Sequence, residues 1–190
     1  MLFAPEAHCF GTLVIFFPFV SRHKTLYWNS CEPTSHNRPP VEHAQIACGR
    51  GRHTRYLLGL GYRVTALDRD TGALSDLADR PDLRILENDL ENGSPWPVAG
   101  EVFEGIVVSN YLYRPLFDPL INALATDGLL IYQTFSDGNA AYGKPRNPSF
   151  LLRENELLDV FGPRLTVLGF DQGYTDHPSP AVIQKICCRK

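Results

Sequence analysis

Past residue 41 the apolar positions gather into short runs, separated by polar stretches rich in Gly, Pro, Asn and Asp. Residues 62–67, 83–86, 103–109 and 128–135 read as strands, with a weaker one at 41–47. Val64 and Thr65 supply β-branched character in the first of these, which ends at Asp68. Ile106-Val107-Val108 is an uninterrupted apolar core that suits a strand buried on both faces. Between the strands, residues 52–60, 71–79, 116–125 and 154–161 read as helices. The first stops at Gly61, and Asp70 or Thr71 can cap the second. Residues 165–170 and 181–187 are two late strands with no helix between them.

Strand–helix alternation predicts right-handed crossovers and a parallel sheet covered on both faces. The last two strands can pair only as a hairpin, because their connection is too short for a crossover helix. The expected fold class is therefore α/β: a doubly wound, mainly parallel seven-stranded sheet, Rossmann-like, with a C-terminal antiparallel hairpin. Residues 1–40 show no sustained period and end in Asn37-Arg-Pro-Pro40, so they are expected to form an irregular N-terminal appendage to a domain at 41–190. The apolar run at 9–20 is short for a membrane span and contains Pro18. It also lacks the basic start and small-residue cleavage site of a signal peptide.

Composition narrows the picture only a little. With 44% hydrophobic and 21% charged residues, the chain of 190 residues has the balance of a soluble globular protein. Its net charge of −3, with Lys and Arg scattered, argues against a nucleic-acid partner. Five Cys without a C-x-x-C pair predict reduced thiols in a cytoplasmic protein. Cys9 and Cys31 with His8, His23 and His36 match no common metal spacing, so no metal and no membrane association are expected. Nothing in the pattern speaks to oligomeric state.

The chemistry begins after the first strand. In Ala47-Cys48-Gly49-Arg50-Gly51-Arg52-His53-Thr54, two glycines allow a tight turn and close approach of a ligand to backbone. The turn opens a helix whose free N–H groups attract an anion. A dinucleotide site would place a third Gly where Thr54 stands, which disfavours an NAD-binding oxidoreductase. Asp68, at the end of the next strand, can accept from both hydroxyls of a ribose. Asp70 suits a helix cap better. After the third strand, Glu87-Asn88-Asp89-Leu90 offers an acid for an amino group and an apolar side chain for a ring.

Three segments together, Ala47-Cys-Gly-Arg-Gly-Arg-His-Thr-Arg-Tyr-Leu57, Val64-Thr-Ala-Leu-Asp68 and Asn88-Asp-Leu90, resemble the class I S-adenosylmethionine (SAM)-dependent methyltransferases. The likeness is greatest to the small bacterial branch that includes the tellurite-resistance methyltransferases. Ser109-Asn-Tyr-Leu-Tyr-Arg-Pro-Leu116 and the stretch from Gly138 through Gly143-Lys-Pro-Arg-Asn-Pro-Ser-Phe-Leu-Leu-Arg153 to Glu156-Leu-Leu158 resemble that branch too. The resemblance spans residues 46–188.

It implies a SAM site lined by Ala47, Cys48, Gly49, Gly51 and His53, with Asp68 on the ribose and Arg69 beside it. Asp89 and Leu90 would flank the adenine, and Ser109, Asn110 and Tyr111 would face the methionyl part and the methyl group. The residue readings agree in outline but assign His53 first to a hydrogen bond at the helix start. Acceptor-pocket candidates are Tyr113 and Arg114 at the sheet edge, with Asn147, Phe150 and Arg153 from the long loop after the fifth strand. The chain departs from the family at Gln45, where an acid usually helps hold the methionyl amino group. Residues 1–44 resemble nothing in the family.

The expected function is methyl transfer from SAM to a small-molecule acceptor, with no catalytic acid or base assigned. A non-catalytic SAM-fold binding or regulatory protein remains the alternative, ahead of an NAD-binding oxidoreductase.

Overall fold

The computed structural model describes residues 41–190. The expected arm, its apolar run, and Cys9 and Cys31 with their neighbouring histidines lie outside the described residues.

Seven strands form one sheet: β1 (Glu42–Ile46), β2 (Arg63–Asp68), β3 (Leu83–Glu87), β4 (Phe103–Ser109), β5 (Leu124–Phe135), β6 (Thr166–Thr175) and β7 (Ala181–Arg189). Their order is β3-β2-β1-β4-β5-β7-β6. The first five run parallel, and β7 lies antiparallel between β5 and β6. The mainly parallel sheet and its terminal hairpin are therefore as expected. Strand order reverses between β1 and β4, the kind of switch point beyond whose C-terminal strand ends open α/β sheets bind ligands.

The helices are shorter than the sequence pattern suggests. They are α1 (Arg52–Gly59), α2 (Phe117–Asn122) and α3 (Glu156–Phe161). The helix expected at 71–79 is a 3-10 segment, Gly72–Leu77, in which only Leu74 is buried, so little packing holds a longer α-helix there. The helix expected at 116–125 ends at Asn122 because β5 begins at Leu124. A break in pairing register between Phe103 and Gly105 lets β5 start well before the expected Gly128. The expected 154–161 helix starts at Glu156, after Asn155 adopts a left-handed φ of 56°.

One sheet face carries the main core. Ile46, Leu67, Ile106, Val108, Leu130, Tyr132 and Ile186 pack with residues of α2 and α3. Beneath those helices Phe117, Tyr132 and Phe161 meet with centroid separations of 5.4 to 6.0 Å. Burying each such ring contributes roughly 1.5–3 kcal/mol. On the opposite face α1 buries Thr54, Leu57 and Leu58 beside β1 and β2. Gly105 has no side chain because the His43 ring fills that space: a Cβ there would lie 2.3 Å from its Cδ2.

Candidate functional site

The turns after β1, β2, β3, β4 and β5 all emerge at the C-terminal edge of the parallel strands. Ala47 leaves β1 with φ 53° and Asn110 leaves β4 with φ 56°, so neighbouring strands both end in the left-handed region. For a non-glycine residue this costs of order 1 kcal/mol and marks a backbone held for its geometry.

Asp68 ties the glycine turn to β2. Its Oδ2 accepts from the Gly49 N–H at 2.6 Å and its Oδ1 from the Asp70 N–H at 3.1 Å. Each oxygen retains a further lone pair. Gly51, at φ 74°, starts α1 without a side-chain cap, and a Cβ there would come 2.1 Å from Leu74 Cδ2. Cys48 is buried beneath the turn, and burial together with the Asp68 charge raises its thiol pKa to about 12. That keeps it protonated and inert. Arg69 is exposed just past the strand end. Asp70 Oδ1 accepts from the Gly72 N–H at 3.1 Å, a local bond at the start of the 3-10 segment.

Gln45 lies under the same turn, buried in β1. Its Oε1 accepts from the Thr54 hydroxyl, and its Nε2 lies 3.5 Å from His53 Nδ1. Burial and then the nearby Arg52 charge lower the pKa of His53, which favours the neutral ring. The position that carries an acid in the resembling family is here a neutral bridge from β1 to α1.

The loop after β3 begins with the Asn88 N–H donating to the Asp68 carbonyl at 2.8 Å. Asp89 is exposed, while Leu90 packs against the main core. The buried Asn88 Oδ1 has no partner among the described residues. Ser109 and Tyr111 are half-buried beside the exposed Asn110, and Tyr113 is half-buried as well. Burial, followed by the charge and hydrogen bond of Glu91, raises the Tyr111 phenol pKa. The Tyr132 hydroxyl donates to the Tyr111 carbonyl at 3.0 Å and so ties this loop to the aromatic core.

The loop after β5 holds the remaining candidates. Phe150 is 47% exposed, and Asn147 Oδ1 accepts from the Ser149 N–H at 3.0 Å. Both line an open cavity of ≈ 430 Å³ together with Lys144, Pro145 and Arg146. Arg114 turns away from open space: it pairs with Glu156 and donates to the Ser149 and Leu151 carbonyls. Arg153 stays largely exposed, with Nε 3.5 Å from Glu156 Oε2. Lys144, Arg146 and Glu91 were not singled out from sequence. Two cations two residues apart were legible in the loop, but the carboxylate partners depend on contacts across the fold. Among the described residues no cluster of His, Cys, Asp or Glu suits a metal ion, and no helix is long and apolar enough to cross a membrane.

No protein-family model and no curated protein matches the chain. Solved structures do, and they define its fold as that of class I SAM-dependent methyltransferases. TehB from Haemophilus influenzae aligns with TM-score 0.62 at 19% identity over 80% of this chain. The chain spans 58% of the length of that protein. The N-methyltransferase NodS from Bradyrhizobium japonicum WM9, in complex with S-adenosyl-L-homocysteine (SAH), aligns with TM-score 0.61 at 19% identity, over 79% of this chain and 78% of its own. A 1,6-didemethyltoxoflavin-N1-methyltransferase from Burkholderia thailandensis, with 1,6-didemethyltoxoflavin and SAH bound, gives TM-score 0.58 at 22% identity, over 80% of this chain and 71% of its own. At such identities the likeness is one of fold.

Proposed function

We propose that residues 41–190 form a SAM-dependent methyltransferase domain acting on a small-molecule acceptor, with residues 1–40 as its appendage. The observation that carries this reading is the Asp68–Gly49 bond, which sets a carboxylate with spare lone pairs against a glycine turn at the sheet's reversal point. The fold shared with methyltransferases that bind SAH supports it.

The residues fit the cofactor. Asp68 would accept from the ribose hydroxyls while still holding Gly49 in place. Asp89 would accept from the adenine amino group, and the orphaned Asn88 Oδ1 offers a further acceptor in that loop. Leu90 would lie against the ring. The uncapped first turn of α1 leaves N–H groups for the methionyl carboxylate, with Ala47, Cys48, Gly49, Gly51 and His53 shaping the wall. Ser109, Asn110 and Tyr111 would border the methyl group. Arg69, exposed just past Asp68, would border the ribose.

When bound, SAM would supply an electrophilic methyl group on a positive sulfonium, transferable to a nucleophilic acceptor with SAH as the other product. The protein's contribution is alignment of the two reactants. Neutral Tyr111 can donate a hydrogen bond but is a poor base, so an acceptor that must lose a proton would release it to solvent.

Calorimetric titration with SAM, SAH and NAD tests the cofactor, and SAH formation across a panel of small nucleophiles tests the enzyme. Binding of SAM and SAH but not NAD, with turnover of at least one acceptor, is expected. Absence of SAM binding by the folded protein rules the reading out.

A further inference from the structure

The loop between β5 and α3 leaves the sheet at the same edge as the glycine turn, with Asp137 and Glu154 near its ends and Lys144 and Arg146 towards its middle. The cavity it forms is lined by Lys144, Pro145, Arg146, Asn147 and Phe150, with no carboxylate among them. Both cations are exposed. Neither enters an ion pair among the described residues, whereas Arg114 and Arg153 nearby are both matched to Glu156.

The loop that carries them is fastened at several points. Asn139 is buried; its Nδ2 donates to the Pro145 carbonyl at 3.2 Å, and its Oδ1 accepts from the Val182 N–H at 3.1 Å. Farther along, Arg114 holds the Ser149 and Leu151 carbonyls, each at 3.0 Å. The backbone between Lys144 and Phe150 is thus braced from β7 on one side and from the loop after β4 on the other. A braced loop loses less conformational entropy when a ligand binds it.

Size and surface then narrow the ligand. The cavity, ≈ 430 Å³ and broadly open, presents an almost wholly apolar wall, which suits the flat body of a small organic ligand better than a bare inorganic oxyanion. Phe150, nearly half exposed, offers a flat apolar surface beside the cations. Arg146 can grip a carboxylate with two parallel N–H donors, and Lys144 adds a mobile point charge.

We propose that the loop residues Lys144, Arg146 and Phe150 select an organic anion as methyl acceptor, its acidic group between the two cations and its flat body over the ring. This rests on the methyltransferase reading and adds the acceptor's chemical class.

The test uses the full chain with SAH present. Aromatic carboxylates, their matched primary amides and inorganic phosphate are compared as ligands by NMR titration. The same titrations are run on the Lys144→Gln/Arg146→Gln double variant, with folding checked by melting. The carboxylates should bind at least tenfold more tightly than their amides and weaken as salt is added. The double variant should lose that preference yet keep its affinity for SAH. Equal binding of acids and amides, a preference that survives in the double variant, or no binding by either set overturns the proposal. Phosphate binding as tightly as the best carboxylate overturns its organic part. Calorimetry with SAH is scored separately: failure there defeats the methyltransferase reading, while the acid–amide comparison, repeated without SAH, still decides the loop's selectivity.

Discussion

Arg114 and Glu156, 42 residues apart in sequence, meet in a two-pronged ion pair, Nε to Oε1 at 2.6 Å and Nη2 to Oε2 at 2.9 Å. The carboxylate is buried, and it also accepts from the Arg153 N–H at 2.8 Å. One guanidinium therefore joins the loop after β4, the loop after β5 and the start of α3. Arg114, a candidate acceptor contact on sequence grounds, is thus a brace for the loop after β5.

Removing that brace should be costly. Arg114→Gln leaves a buried carboxylate with only the more distant, exposed Arg153 as counter-charge, where breaking a fully buried pair outright costs about 3–5 kcal/mol. The guanidinium is 35% exposed, so solvent screening should reduce the loss to about 2 kcal/mol. Denaturant midpoints measure it, and amide exchange at Ser149 and Leu151 should quicken. An unchanged midpoint would show that the pair adds nothing net.

Acid should destabilise the domain in two stages. Burial lowers the pKa of His43 to about 4 from an ordinary 6.5, so between those values the unfolded chain binds more protons than the folded one. Stability should therefore fall as pH drops from 6.5 towards 4, by roughly 3 kcal/mol at the limit. Burial raises the Glu156 pKa, but the Arg114 bonds, the Arg153 N–H and both guanidinium charges outweigh it, so the net shift is below 4.5. Its contribution is present above that value and is lost as pH falls through the lower, folded-state pKa. His43→Phe, which keeps a ring against Tyr62, should flatten the first stage in melting curves and spare the second. A slope between pH 6.5 and 4 equal to wild type would assign that stage to other groups.

Cofactor affinity should depend on Asp68 far more than on Asp70. A charge-assisted hydrogen bond contributes about 1.5–3 kcal/mol, and about 1.4 kcal/mol is a factor of ten. Asp68→Ala should thus weaken SAM binding at least tenfold, partly by releasing the Gly49 N–H. Asp68→Asn, which keeps one acceptor oxygen, should fall between wild type and Asp68→Ala. Asp70→Ala should change affinity little, because its carboxylate serves Gly72. Calorimetry on the three folded variants at one salt concentration checks the order. Equal affinity in Asp68→Ala would remove the ribose assignment.

A chain beginning at Val41 is expected to melt in one cooperative transition, because the described residues carry a core that runs from Ala44 to Cys188. Circular dichroism against temperature decides the point. A broad, non-cooperative melt would mean that the preceding residues belong to the folding unit.

The number of strands, their mainly parallel sense and the closing hairpin were legible in the chain, because strand periodicity and connection length are local properties. The place of Gly49, Gly51, Asp68 and Asp89 at or just past the ends of β1, β2 and β3 could be read in the same way, since turns follow strand ends. The depth of each helix could not be read, because whether 71–79 becomes an α-helix or a 3-10 segment depends on how much of it the sheet covers. Nor could the insertion of β7 between β5 and β6, as a hairpin alone does not say which strand its partner borders. The roles of Gln45 and Arg114 were likewise settled by tertiary contacts: burial beside Thr54 and His53 for one, the buried Glu156 for the other. A charged or amide side chain takes its partner from whatever the fold brings within about 3 Å, and that proximity does not exist until the chain has closed on itself.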